Sequence, residues 1–138
     1  MGAKTRTGTI AIPPVDGTTA AKSTKITVVR DVESLRVHTR AWRKNGETIG
    51  LIPTMGALHD GHLALVSAAL RNCDRVIATI FVNPAQFAPT EDFEAYPRDE
   101  ADDIAKLDRL KADLLFAPDV TEMYAEGFST KVSVSGIT

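Results

Sequence analysis

Two periodicities take turns along this chain from Ile26 onward, one of about two residues and one of about 3.6. Ile26 to Arg30 is a short β-branched run. Asp31 follows as a residue able to cap a helix reaching about Asn45, where Asn45-Gly46 supplies a stop. Val32, Leu35 and Trp42 give that helix an apolar face. Ile49 to Pro53 reads as a second strand, and a helix near Gly61 to Asn72 follows, its Leu63, Val66 and Leu70 recurring at helical spacing. Val76 to Val82 is a nearly continuous β-branched and aromatic run, as expected of a strand covered on both faces. Asn83-Pro84 ends it, because proline cannot donate to a ladder. After a polar loop through Tyr96-Pro97-Arg98, a helix from about Asp99 to Lys111 presents Ile104, Leu107 and Leu110. Leu114 to Ala117 reads as a further buried strand broken by Pro118-Asp119, and Asp119 and Glu122 are spaced like a capping box for a short helical turn. Thr130 to Val134 alternates polar and apolar residues in the manner of an edge strand. A βαβαβ succession of this kind predicts an α/β fold with right-handed crossovers and a parallel sheet.

Composition narrows the function without choosing it. In 138 residues, 43% are hydrophobic and 25% charged, which suits one ordinary globular domain. The net charge of −2, with signs interspersed, gives no electrostatic footprint for nucleic acid, and no apolar run approaches the ~20 residues of a membrane span. Residues 1–24, rich in Thr, Ala, Gly and Lys around Pro13-Pro14, read as a disordered extension and lack the apolar core of a signal peptide. A cytoplasmic, small-molecule role is the expectation. Cys73 is the single cysteine and reads as a partly buried, inert thiol, since no base stands beside it in Arg71-Asn72-Cys73-Asp74.

The chemistry concentrates between Ile49 and Leu65, where Pro53-Thr54-Met55-Gly56 closes a strand and Leu58-His59-Asp60-Gly61-His62 opens a helix. In open α/β sheets ligands bind where strand carboxyl ends and helix amino ends meet, and a helix amino end favours an anion. His59 and His62, three apart, share one helix face and are suited to stabilising a phosphoryl group's charge, while Gly56 and Gly61 permit close backbone approach. As zinc ligands the pair would need a third, and His38 lies on another segment. Alternatively the two are polar residues at an ordinary helix start. Asn83 and Gln86, past the next strand, carry amides suited to the hydroxyl and carboxylate groups of a small polar substrate, or else simply cap the loop. Phe81 and Phe87 read as core or pocket wall, and Arg98 as either a phosphate-steering or a solvated cation.

Pro53-Thr54-Met55-Gly56-Ala57-Leu58-His59-Asp60-Gly61-His62, followed in order by Phe81-Val82-Asn83-Pro84-Ala85-Gln86-Phe87, Tyr96-Pro97-Arg98 and Phe116-Ala117-Pro118, closely resembles the pantoate–β-alanine ligase (pantothenate synthetase) family. The His-x-Gly-His element is similar to the signature of the wider adenylyl-transferring superfamily, and the Asn-Pro-x-Gln-Phe element narrows it. The resemblance implies a Rossmann-like parallel sheet of the HIGH-motif nucleotidyltransferase type. It implies a two-step ligation in which ATP and pantoate give a pantoyl adenylate and pyrophosphate, and β-alanine then attacks the activated carbonyl. Pro53, Thr54, Met55, Gly56, His59, Gly61 and His62 would line the ATP site, with His62 and His59 as catalytic groups and His62 as proton donor. Gln86 would hold pantoate close to the incoming β-alanine, with help from Asn83. Asp102 or Asp103 would help to place Mg²⁺, and the full-length enzyme would be a homodimer.

The chain departs from the family at its end. A Gly-Glu-Lys-Asp segment, a further glutamine and a Ser-Ser-Arg loop over the triphosphate do not occur, so residues 25–138 are expected to form a partial amino-terminal domain, incomplete at its carboxyl end and inactive alone. The alternatives are another adenylyl- or cytidylyltransferase on the same nucleotide site, or a non-catalytic nucleotide- or metabolite-binding module.

Overall fold

The structure, a computed structural model, describes residues 25–136; the expected disordered extension at 1–24 lies outside the described residues. Four strands form one sheet: β1 (Thr27–Val29), β2 (Ile49–Thr54), β3 (Arg75–Ile80) and β4 (Leu114–Phe116). All three pairings are parallel, in the spatial order β1-β4-β3-β2. Helices α1 (Val32–Lys44), α2 (Asp60–Asn72) and α3 (Glu100–Leu110) connect the strands, and a short α4 (Val120–Met123) follows β4. This is the α/β architecture that the alternating periods predict.

The pleat of the central strands sorts the core into two layers. Val76, Ala78 and Leu115 face one side, where they meet Val66 of α2 and Leu107 of α3. Ile77, Leu114 and Phe116 face the other, against Val32, Leu35 and Trp42 of α1. Successive residues of β3 and β4 are therefore all apolar because each face of the sheet is covered. Strands at the sheet's middle contribute the most deeply buried positions, with Val76, Ala78, Leu114 and Leu115 at 0% exposure.

Local signals set the helix ends. Asp31 caps α1 by accepting from the Ser34 N–H at 2.7 Å, and Asn45 and Gly46 (φ +77°) close it. Asp99 caps α3 through the Asp102 N–H at 3.1 Å, and Lys111 ends it in the left-handed region at φ +71°. Asp119 caps α4 through the Glu122 N–H. Cys73 is half-buried beside Gly50, whose missing side chain leaves room for the Sγ atom.

Three expectations need correction. β3 ends at Ile80 rather than Val82, and Phe81 and Val82 lead out of the ladder toward the loop. β2 runs on to Thr54, which leaves Pro53 inside the ladder, tolerated because β2 lies at an edge of the sheet among the described residues. Thr130 to Val134 is not a strand: Val132 and Val134 are 87% and 73% exposed, and the segment joins no sheet among the described residues. Alternation describes a strand's faces but supplies no partner. No helix among the described residues is long and apolar enough to cross a membrane.

Candidate functional site

The β2-to-α2 turn is fastened almost residue by residue. Thr54 donates its hydroxyl to the Thr79 carbonyl at 2.8 Å and accepts the Gly56 N–H at 3.0 Å, locking the strand's last residue to β3. Gly56 then turns the chain at φ +87°, where a Cβ would stand 3.1 Å from Ile80 Cγ2 and 3.2 Å from Asp103 Oδ2. Glycine is required there for conformation and for space. Ala57 follows at φ +52°, a strained choice for a residue with a side chain, and its N–H donates to Asp103 Oδ2 at 2.9 Å. The Leu58 N–H donates to Asp103 Oδ1 at 2.8 Å.

The two histidines complete the turn with reciprocal caps at the helix start. His59 is the N-cap of α2, and its Nδ1 accepts the Gly61 N–H at 3.0 Å. His62, at the third helical position, accepts the His59 N–H on its own Nδ1 at 3.2 Å. Glutamate or glutamine usually fills that returning position of a capping box, and here an imidazole does. A ring nitrogen that accepts a hydrogen bond carries no proton, so both rings present Nε2–H as their donor. The rings lie 4.0 Å apart at 31°. Burial, and then the neighbouring His59, push the His62 pKa below its ordinary 6.5, against an opposing pull from Asp103.

Backbone N–H groups of Gly56, Ala57, Leu58, His59 and Gly61 all donate to side chains, which leaves the two imidazole Nε2–H groups as the turn's side-chain N–H donors. Gly61 matters for the same reason. A Cβ there would stand 2.9 Å from His59 Cε1, forcing that ring off its cap. Gly61→Ala is expected to leave the melting temperature nearly unchanged, because a helix-propensity gain of up to about 1 kcal/mol offsets a cap loss of about 0.5–2 kcal/mol. The displaced ring should show in amide NMR spectra as shifts of the Gly61 and His59 N–H resonances, and unmoved resonances would mean that the cap survives.

Two clefts flank the carboxyl ends of the strands and share Met55, Phe81 and Pro118. One, of about 490 Å³, is walled by Leu51, Pro53, Phe116 and Met123 and carries Thr54, Asn83 and Gln86 as polar groups. The other, of about 480 Å³, is lined by Gly56, Arg30, Arg98, Glu100 and Asp103 among others. His59 and His62 line neither: His59 is exposed and His62 half-buried on the shoulder of the turn. The expected gathering of imidazoles, glycines and amides in one crevice is thus only partly present. The turn stands on β2, an edge of the sheet among the described residues, so a wall exists on its β3 side alone.

Asn83 caps a 3₁₀ turn over Pro84–Gln86 by accepting the Ala85 N–H at 3.0 Å, and the same Oδ1 accepts the Tyr124 hydroxyl at 2.9 Å. Only the Asn83 amide NH₂ therefore remains for a ligand. Asn83 thus caps the loop, and the same short turn carries Asn83 and Gln86 to the wall of the cleft. Tyr124, absent from the expected site, comes from 41 residues away in sequence, and no local pattern marks it. Phe81 is cleft wall, as expected, and stands 6.2 Å from the Tyr124 ring. Phe87 packs edge-on against Phe93 and Tyr96, and Arg98 caps the carbonyls of Phe93, Glu94 and Tyr96. That guanidinium holds the loop in shape.

Comparison with known proteins adds an independent line. A family model described as pantoate–β-alanine ligase matches residues 27–138. A pantothenate synthetase of Caulobacter vibrioides is 60% identical over 111 residues, covering 80% of this chain and 39% of that protein. Among solved structures, the pantothenate synthetase of Thermus thermophilus is similar at 50% identity with a TM-score of 0.73, over 80% of this chain and 38% of that one. The pantoate–β-alanine ligase of Francisella tularensis, solved in complex with β-γ ATP and β-alanine, is 34% identical with a TM-score of 0.74, over 79% of this chain and 41% of that one. The chain spans about two-fifths of the length of the relatives it matches.

Proposed function

The chain belongs to the pantoate–β-alanine ligase family, and on that premise we propose that it forms the nucleotide- and pantoate-binding part of an enzyme that condenses pantoate with β-alanine through a pantoyl adenylate. The observation that carries this reading is the pair of Nε2–H donors on the β2-to-α2 turn, a few residues from an apolar cleft whose polar groups include two amides. Pantoate has matching chemistry, a dimethyl-substituted carbon between hydroxyl groups and a carboxylate. Met55, Pro53 and Phe116 suit its apolar centre, and Gln86 and the Asn83 NH₂ suit its polar ends.

In this mechanism the pantoate carboxylate attacks the α-phosphorus of ATP and pyrophosphate leaves. Attack needs alignment, and departure needs charge neutralisation. His59 and His62 donate Nε2–H hydrogen bonds to the phosphates, and these bonds strengthen as the bridging oxygen takes up charge, with no proton leaving either neutral ring. β-Alanine's amine then attacks the mixed-anhydride carbonyl beside Gln86, and AMP leaves. Mg²⁺ accompanies the reaction by family resemblance. The residues expected to place it do not fit the role, because Asp103 is 2% exposed with each oxygen accepting a backbone N–H and Asp102 is paired with Lys106. No step is assigned to a metal at those aspartates.

In a polypeptide of the relatives' full length, Gln86→Ala is expected to raise the KM for pantoate at least tenfold while leaving ATP binding within about twofold, since a lost amide contact and its orientation are worth roughly 1–2 kcal/mol. Equal loss of both would favour a different nucleotidyltransferase. The 138-residue chain alone should release pyrophosphate slowly or not at all, because the two imidazoles provide little phosphate neutralisation. Robust turnover by the purified chain would overturn that expectation.

A further inference from the structure

Lys106 sits where the Asp102 carboxylate and a carbonyl of the β2-to-α2 turn converge, with Asp103 near enough for its charge to be felt. Its ammonium lies 2.8 Å from Asp102 Oδ2, one helical turn earlier on α3, and donates to the Leu58 carbonyl at 2.9 Å across the helix-to-turn interface. Leu58 is itself buried, and its N–H is held by Asp103. Both backbone groups of Leu58 are therefore tied to α3, one to an anion and one to a cation. Asp102 and Asp103 together raise the Lys106 pKa, with Asp102's hydrogen bond the largest cause and burial and Arg109 opposing, so the group stays charged at neutral pH.

We propose that Lys106 is the resident cation of the Asp102–Asp103 pair, a positioning residue that clamps the Met55–His59 turn to α3 and takes the place a divalent ion would have there. Magnesium requires near-octahedral oxygen ligands at about 2.0–2.1 Å. Asp103 is 2% exposed and each of its oxygens accepts one N–H, from Leu58 or Ala57, so turning the carboxylate toward an ion would release the turn on which His59 and His62 stand. Among the described residues no three His, Cys, Asp or Glu side chains gather so as to hold a metal ion. A second cation next to the ammonium would also be repelled, in a site only partly screened, with Lys106 27% and Asp102 51% exposed.

The clamp is tested by adding Mn²⁺ and Mg²⁺, without nucleotide, to the isotopically labelled chain and recording amide spectra. In the parent protein, Mn²⁺ should produce no selective broadening at Ala57, Leu58, Asp102 or Asp103 up to millimolar concentration. Lys106→Gln should shift the Leu58 and His59 amides and acquire Mn²⁺ broadening at Asp102, and Lys106→Arg should restore the parent behaviour in both respects. Saturable broadening at Asp102 and Asp103 in the parent would overturn the proposal. So would Lys106→Gln leaving the Leu58 and His59 amides unmoved. If Lys106→Gln melts below the recording temperature, Lys106→Arg decides, because Mn²⁺ binding at Asp102 in that variant would sink the resident-cation role and blindness to Mn²⁺ would support it. These readouts do not depend on ligase activity, so they stand or fall apart from the proposed function.

Discussion

Leu107→Ala is expected to remove about 3–5 kcal/mol of folding stability, among the large losses that a single apolar truncation causes in a packed core. Leu107 has 0% exposure at the centre of α3's inward face, packed in the cluster that also holds Val66, Val76, Ala78 and Leu115. Those neighbours belong to α2, β3 and β4, which cannot all move inward together because the parallel ladder fixes their spacing. The cavity therefore persists, and its cost adds to the lost transfer free energy. Against a total stability of about 5–15 kcal/mol, such a loss is a fifth or more of what holds the fold together. Urea unfolding measures it. Leu65→Ala on α2 is the control, since Leu65 is 59% exposed and its truncation should fall within about 0.5 kcal/mol of no effect. A loss below about 1 kcal/mol at Leu107 would mean that α3 is not seated on the sheet as described.

Leu107 is also among the residues most legible in the sequence, and the reason is physical. Its spacing from Ile104 and Leu110 records a helix face, and the runs at β3 and β4 record burial on both sides of a sheet. Caps at Asp31 and Asp119 are legible too, because each acts within three residues of itself, whereas Asp99, read as the first helical residue, proves to be the cap of α3. What escapes is non-local. Asp103 reaches back 45 and 46 residues to hold Leu58 and Ala57, and nothing in Asp102-Asp103 distinguishes that anchor from an ordinary acidic first turn. Tyr124 reaches Asn83 across a similar distance. Strand order is likewise invisible, since βαβαβ alternation gives parallel strands without saying that β1 sits beyond β4. The histidine pair stands out in the sequence, but its internal capping does not. Spacing shows that the rings share a face, and only the folded turn shows that each commits its Nδ1 to the backbone.

That internal bond makes His62 the group whose loss should cost most in catalysis. In a polypeptide of the relatives' full length, His62→Ala should slow adenylate formation by about 10²–10³-fold in single turnover, the range for a removed hydrogen-bond donor to developing negative charge. ATP binding should fall far less, because His59 keeps its Nε2–H. The same substitution has a signature in pH that needs no activity. With its folded pKa below 6.5, His62 holds a proton less tightly in the folded chain than in the unfolded one, so between those two values the unfolded chain binds more protons. His62 thus contributes its full stabilisation above pH 6.5, and that contribution is lost as the pH falls from 6.5 through the folded value. Protonation also removes the Nδ1 lone pair that accepts the His59 N–H, so the cap opens in the same window. His62→Ala should flatten the fall of stability with pH below 6.5, whereas a bound triphosphate should raise the His62 pKa by favouring the charged ring. NMR titration of the His62 ring protons, with and without ATP, measures both values. An adenylation rate unchanged in His62→Ala would refute its part in the chemistry, and a ring pKa that ATP leaves in place would show that the imidazole does not face the phosphates.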